Sequence, residues 1–234
     1  MVAAILAGGL ATRLRGVVED RPKCLVEIQG KPFLQHQIEY LRRFGVTRVV
    51  MLVGHLGDQI EAFLGDGAPF GVDVRYAYEP LPLGTAGAIK NAEHMLEESF
   101  LVLNGDTLVD LDLDAFIKTH HAHPDAIGTM ALCRMDDASD YGSVQIDGDG
   151  FVTAFLEKQP YKRPGLVNAG IYCFRSRALD YVPSNAKVST ETEFLPKLLA
   201  HGERLTAFVF KGVFIDIGTP DRLNLAQTHF LFGG

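Results

Sequence analysis

The chain's 234 residues, 47% hydrophobic and 22% charged, suffice for one large α/β domain or two small ones with a full core. A net charge of −7 without any basic block argues against a general nucleic-acid binder, though a local basic pocket could still hold a small anion. Cys24, Cys133 and Cys173 are too scattered for a zinc site or disulfide framework, and no apolar run nears the ~20 residues that cross a bilayer, so the chain reads as cytoplasmic, without a membrane partner.

The first element is the apolar run Val2-Ala3-Ala4-Ile5-Leu6, which suits a parallel strand buried on both faces. It ends in Ala7-Gly8-Gly9, with Thr12, Arg13 and Lys23 beyond. Glycines let the backbone turn sharply and approach a ligand, and exposed N–H groups beside two cations suit a polyphosphate. Neither the Walker spacing nor the Gly-x-Gly-x-x-Gly spacing is present, so taken alone the loop is equally a plain strand-to-helix turn.

Apolar residues Phe33, Leu34, Ile38, Leu41 and Phe44 between Pro32 and Gly45 predict a helix over 32–44. Strands over 48–53, 72–78 and 100–103 then alternate with helices over 58–64, 84–96 and 112–121. That alternation predicts βαβ units and a parallel sheet. Right-handed crossovers bring Gly8-Gly9, the 79–88 segment and Asn104-Gly105-Asp106 to one sheet edge, where ligands of such sheets bind. Beyond residue 125 the pattern changes to strands over 126–134, 142–146, 151–157 and 167–174, with a hairpin turn at 147–150. Helices over 190–201 and 220–230 flank strands over 205–210 and 213–217. The expected architecture is α/β: a Rossmann-like three-layer sandwich with a mostly parallel central sheet and a smaller, more antiparallel lobe. With no Pro/Ser-rich linker, residues 1–234 read as one domain, 1–125 forming the nucleotide-binding lobe and 126–234 the second lobe.

Asp106 closes a buried apolar strand, and Asp216 sits within Phe214-Ile215-Asp216-Ile217. A lone buried carboxylate is costly, so each needs a partner: a shared Mg²⁺ explains both, and a helix cap or an arginine explains either alone. Asp110-Leu111-Asp112 has the Asp-x-Asp form of metal-dependent glycosyltransferases, but Asp112 also makes a good helix N-cap. His120, His121 and His123 read as solvated cations at a helix end. Glu157-Lys158 and Asn168 lie at strand ends, where an acid, a lysine and an amide suit sugar hydroxyls and phosphate.

Together, Leu6-Ala7-Gly8-Gly9-x-x-Thr12-Arg13-Leu14 with Lys23, Leu83-Gly84-Thr85-Ala86-Gly87-Ala88, Asn104-Gly105-Asp106, Glu157-Lys158, Asn168-Ala169-Gly170 and Ile215-Asp216-Ile217-Gly218-Thr219 resemble the sugar-1-phosphate nucleotidylyltransferases in order and spacing, across essentially the whole chain. Length and the 167–172 element are most similar to the short D-glycero-α-D-manno-heptose 1-phosphate guanylyltransferases. Mannose-1-phosphate guanylyltransferases and N-acetylmuramate-1-phosphate uridylyltransferases are close competitors. The resemblance implies the nucleotide-diphospho-sugar transferase fold, with 126–234 as the sugar-phosphate lobe. It implies that a sugar 1-phosphate attacks the α-phosphorus of a nucleoside triphosphate, favoured as GTP, for the supply of a surface glycan such as lipopolysaccharide, capsule or S-layer. By the same resemblance, Arg13, Lys23 and Asp106 are catalytic, and Asp106 and Asp216 hold Mg²⁺. Leu6, Ala7, Gly8, Gly9, Thr12, Arg13, Glu79, Gly84, Thr85 and Ala86 bind the nucleotide; Asn104, Gly142, Glu157, Lys158 and Asn168 face the sugar phosphate. Monomer and homodimer are both compatible. The rival classes are a glycosyltransferase working through Asp110 and Asp112, and a silent nucleotide-sugar sensor.

Overall fold

The computed structural model describes residues 1–9, 20–157 and 161–229. Thr12, Arg13 and Lys158 lie outside them. In chain order the elements are β1 (Val2–Leu6), β2 (Glu27–Ile28), β3 (Lys31–Pro32), α1 (Phe33–Arg43), β4 (Arg48–Val53), α2 (Gly57–Leu64), β5 (Asp73–Tyr78) and α3 (Gly84–Asn91). Next come β6 (Ser99–Asn104), β7 (Thr107–Val109), α4 (Leu113–Ala122), β8 (Gly128–Met135), β9 (Ser143–Ile146), β10 (Val152–Leu156) and β11 (Gly165–Arg175). A π-helical turn (Thr190–Phe194), α5 (Leu195–Ala200), β12 (Leu205–Phe210), β13 (Phe214–Asp216) and α6 (Pro220–His229) complete the described chain. Among the described residues no helix is long and apolar enough to cross a membrane.

Strands β6, β1, β4 and β5 lie side by side and parallel, as the βαβ alternation requires. The second half joins the same sheet. Strand β11 pairs antiparallel with β6 on one side and β8 on the other, β12 pairs parallel with β8, and β9–β10 extend the far edge, making nine strands. The two lobes expected from the change of pattern therefore share one mixed sheet.

Alternation along β1 shows how both faces are filled. Ala3 and Ile5 pack with α1, α2, α4 and α6 through Phe33, Leu34, Ile60, Phe116 and Leu223. Val2 and Ala4 face α3 and α5 through Ile89, Leu195 and Leu198. Helix α3 ends at Asn91 rather than continuing to residue 96, and a single 3₁₀ turn (Glu93–Met95) finishes the segment.

Two polar expectations resolve differently. Asp112 caps α4, accepting from the Ala115 N–H at 2.9 Å, which is a structural job. His120 is not a solvated cation. It is wholly buried, lies 3.2 Å from both the Ser99 and Thr129 hydroxyls, and has its pKa pushed down to about 4 by burial, then by Arg175 and His121. The ordinary value is 6.5, so between about pH 6.5 and pH 4 the unfolded chain binds the extra proton. Stability is full above this window and falls by up to about 3 kcal/mol as pH drops through it. Melting curves against pH should show that loss in the wild type and a flatter acid limb in His120→Gln.

Candidate active site

The parallel strands β1 and β6 end together, Leu6 opposite Asn104, so the loops that follow them lie at the same sheet edge. They open onto a cavity of about 1160 Å³. Leu6, Ala7, Gly8, Gly9, Lys23, Glu79, Gly84, Thr85, Asn104, Asp106, Gly142, Glu157, Asn168 and Asp216 all line it, so residues far apart in the chain meet at one place. Ala86 does not. It is fully buried, and its N–H donates to the Val188 carbonyl at 2.9 Å.

That bond belongs to an unexpected contact. Gly84, read from sequence as a nucleotide-binding residue, and Gly87 of the same motif press against the 186–188 segment: Gly87 N donates to Val188 O at 3.2 Å, and Val188 N to Leu83 O at 2.8 Å. Gly84 has φ +69, and a Cβ there would lie 2.7 Å from Val188 O. The motif thus ties the start of α3 to the 186–188 segment. Gly84→Ala combines a left-handed backbone with a clash against a carbonyl, and is expected to cost about 2–4 kcal/mol of stability in urea unfolding.

The charged centre is built by a small ribbon. Strand β13 pairs with β7, setting Asp216 opposite Thr107, and the Ile217 N–H donates to the Asp106 carbonyl at 3.0 Å. The two acids expected to share a metal are thereby neighbours. Lys23, carried on a one-turn 3₁₀ helix (Lys23–Leu25), donates through Nζ to Asp106 Oδ2 at 2.6 Å. Arg222 Nη1 donates to Asp216 Oδ2 at 2.6 Å, and its guanidinium lies over the Tyr141 ring, 4.3 Å from the centroid. Cys24 beside the lysine is buried and its pKa rises to about 12, mainly from desolvation, so it stays a neutral thiol and packs as an apolar residue.

Among the described residues no cluster of three or more acidic, histidine or cysteine side chains forms a metal site. Two carboxylates are nevertheless the hard oxygen donors that Mg²⁺ uses when phosphates and water complete its shell. Glycine at 218 also keeps the space between them and the lysine open: a Cβ there would lie 2.6 Å from Asp216 Oδ1 and 3.3 Å from Lys23 Nζ. The two carboxylates fit such an ion, with Lys23 and Arg222 as their present partners.

Half-buried Glu79 accepts the Leu83 N–H on Oε2 at 2.7 Å, and its Oε1 lies so close to Gly8 that a side chain at position 8 would strike it. Burial raises the Glu79 pKa, partly offset by the Leu83 N–H. A bulge interrupts β11 between Asn168 and Tyr172. Gly170 takes φ +67 and its N–H donates to Asn168 Oδ1 at 3.0 Å, so the bulge aims the amide.

Sequence reasoning missed Arg222, Tyr141, Tyr172 and Glu191, which also line the cavity. Arg222 had a usable signal. It follows Gly218-Thr219-Pro220 on the first turn of α6, and helical side chains lean back toward the N-terminus, here toward Asp216.

The nucleotidyl transferase family model matches residues 2–231. The chain is 37% identical over 228 residues to the D-glycero-alpha-D-manno-heptose 1-phosphate guanylyltransferase of Aneurinibacillus thermoaerophilus, covering 97% of each chain. Against the mannose-1-phosphate guanylyltransferase of Mycobacterium tuberculosis, identity is 34% over 221 residues, 94% of this chain and 61% of that one. A crystal structure of HddC from Yersinia pseudotuberculosis complexed with GMP-PN matches with a TM-score of 0.86 and 38% identity, covering 98% of this chain and 99% of that one.

Proposed function

Because the chain belongs to the nucleotidyl transferase family, and within it to the sugar-1-phosphate nucleotidylyltransferases, we propose that it joins D-glycero-α-D-manno-heptose 1-phosphate to GTP in the cytoplasm. An oxygen of the sugar phosphate attacks the α-phosphorus of GTP, the bond to the β-phosphate oxygen breaks, and GDP-heptose and pyrophosphate form. The observation that carries this reading is the single cavity holding the Gly8-Gly9 loop, the Lys23–Asp106 pair and the Asn168 bulge together. Such a reaction asks for positioning and charge stabilisation rather than a covalent intermediate. The similarity to a heptose guanylyltransferase over 97% of both chains supports this sugar over mannose.

In this proposal the backbone of Leu6–Gly9 and the Gly84–Thr85 turn seat the nucleotide, and Glu79 reads its base. Lys23 exchanges Asp106 for the α-phosphate under attack, and Arg13, with Thr12 nearby in sequence, neutralises the phosphates that depart. Gly142, Glu157, Lys158 and Asn168 hold the sugar, and Asn104 supports that wall. Mg²⁺, when bound by Asp106 and Asp216, supplies charge neutralisation at the phosphoryl oxygens. Mixing the protein with GTP, heptose 1-phosphate and Mg²⁺ should release pyrophosphate and give a product with the mass of GDP-heptose, and chelation should stop it. Heptose transfer to an acceptor without pyrophosphate would support the glycosyltransferase rival, which the capping role of Asp112 already disfavours.

A further inference from the structure

The sugar side of the cavity contains a turn of uncommon geometry. Residues Thr190–Phe194 form a π-helical turn, an arrangement found mostly as single turns and often at functional sites. Its anchors explain the extra residue. Ser189 Oγ accepts from the Thr192 N–H at 3.3 Å, while Glu193 Oε1 accepts from the Ser189 N–H at 2.9 Å. This is a capping box stretched by one position, since the acid is four residues beyond the serine rather than three. Thr85 Oγ1 also accepts from the Thr190 N–H at 2.7 Å, fastening the turn to the Gly84–Thr85 segment.

The turn carries Glu191 to the aimed amide of Asn168. That amide is almost fully committed: Oδ1 accepts from Gly170, and Nδ2 donates to the Tyr172 hydroxyl at 2.6 Å. Its remaining donor direction faces Glu191 Oε1 at 3.4 Å, the long limit of a hydrogen bond. Glu191 is exposed at the cavity wall, whereas Tyr172 is buried behind the amide. An amide donor and a carboxylate acceptor at this separation complement a hydroxyl, which accepts from one and donates to the other. Water can occupy such a place, and a sugar hydroxyl in the same position would gain a charge-assisted bond.

We propose that Glu191 and Asn168 form a donor–acceptor pair that takes one hydroxyl of the sugar, making Glu191 a residue on which the choice of sugar depends. The assignment rests on the sugar 1-phosphate reading of the cleft and adds to it a specific group. Glu191 is part of a turn tied to Thr85, so the pair is held in register with the nucleotide side.

The test is steady-state kinetics on wild type, Glu191→Ala and Glu191→Gln with heptose 1-phosphate and its monodeoxy analogues, at saturating GTP and Mg²⁺. Glu191→Ala is expected to raise KM for heptose 1-phosphate about tenfold or more, with kcat and the KM for GTP changed less than about twofold and Glu191→Gln intermediate. One monodeoxy analogue should cost the wild type about tenfold in kcat/KM, and clearly less in Glu191→Ala, where only the Asn168 bond to that hydroxyl remains. Melting temperatures should stay near the wild type, because the contacts of an exposed carboxylate contribute little to stability. An unchanged sugar KM in Glu191→Ala, or the same analogue penalty in wild type and variant, overturns the proposal while the sugar 1-phosphate reading stands. A wild type inactive with every sugar 1-phosphate overturns that reading and the proposal with it.

Discussion

Asp106→Asn is expected to lower kcat/KM by about 10³-fold while the protein stays folded. The substitution preserves shape, so the Thr107 hydroxyl contact at 3.3 Å and the Ile217 N–H bond to the residue 106 carbonyl can persist. What disappears is the charge. Lys23 Nζ loses the carboxylate it meets at 2.6 Å, and the proposed Mg²⁺ loses one of its two acidic protein donors. Asparagine offers a neutral oxygen, which binds a hard dication far less strongly than a carboxylate. The side chains are 36% exposed at Asp106 and 18% at Lys23, so solvent softens the loss of the pair and the stability cost should be about 1 kcal/mol. Asp112→Asn is the matched comparison. Asparagine caps a helix as well as aspartate does, so its pyrophosphate release should remain near wild type. Loss of activity at Asp112 with retention at Asp106 would move the chemistry to the glycosyltransferase reading.

The second large effect is expected at Glu79→Gln: a fall of about 10²-fold in kcat/KM for GTP, with a gain for UTP or dTTP. Guanine presents adjacent N1–H and N2–H donors, which an ionised carboxylate can accept together. Uracil and thymine present one N–H between two carbonyl acceptors, for which an acceptor-only group is a poor match. Glutamine has both a carbonyl and an NH₂, so it can answer that mixed edge. Acid provides an independent check. Burial raises the Glu79 pKa, so protonation removes its two-acceptor character at a higher pH than for an ordinary glutamate. The KM for GTP should therefore rise on acidification before exposed carboxylates titrate, and Glu79→Gln should lack that rise. Equal KM profiles in the two proteins would remove Glu79 from base recognition.

Local pattern carried much of the fold. Strands 48–53 and 205–210 match the observed bounds residue for residue, because each is an apolar β-rich run with clear breaks. Helix 112–121 was legible through its cap, and the observed helix follows Asp112 directly. Other segments depend on partners distant in the chain. Strand β7 has only three residues and exists through pairing with β13, more than a hundred positions later. The 190–201 segment has helical periodicity throughout, but the bond from the Thr190 N–H to Thr85 accompanies a π turn in its first five residues.

The site divides in the same way. Glycines and acids at strand ends announced the cleft, and nearly all of those within the described residues line it. The roles of individual glycines were less legible: Gly84 and Gly87 make room for the 186–188 backbone, an approach that leaves no mark in the motif itself. Histidine spacing suggested solvent at position 120, whereas Ser99, Thr129 and Arg175 enclose that ring from other elements. Arg222 and Glu191 matter through contacts with Asp216 and Asn168, so their place emerges only when the chain is folded.

The most direct test of the account is a competition assay in which GTP, UTP, CTP and dTTP are present together at equal concentration with Mg²⁺. Heptose, mannose or N-acetylmuramate 1-phosphate is added in turn, with pyrophosphate release and product masses recorded. GDP-heptose is expected as the dominant product, with slower formation of GDP-mannose and no pyrophosphate after chelation of the metal. Dominance of a UDP- or dTDP-sugar would contradict the proposed base, and no pyrophosphate from any pairing would contradict the reaction.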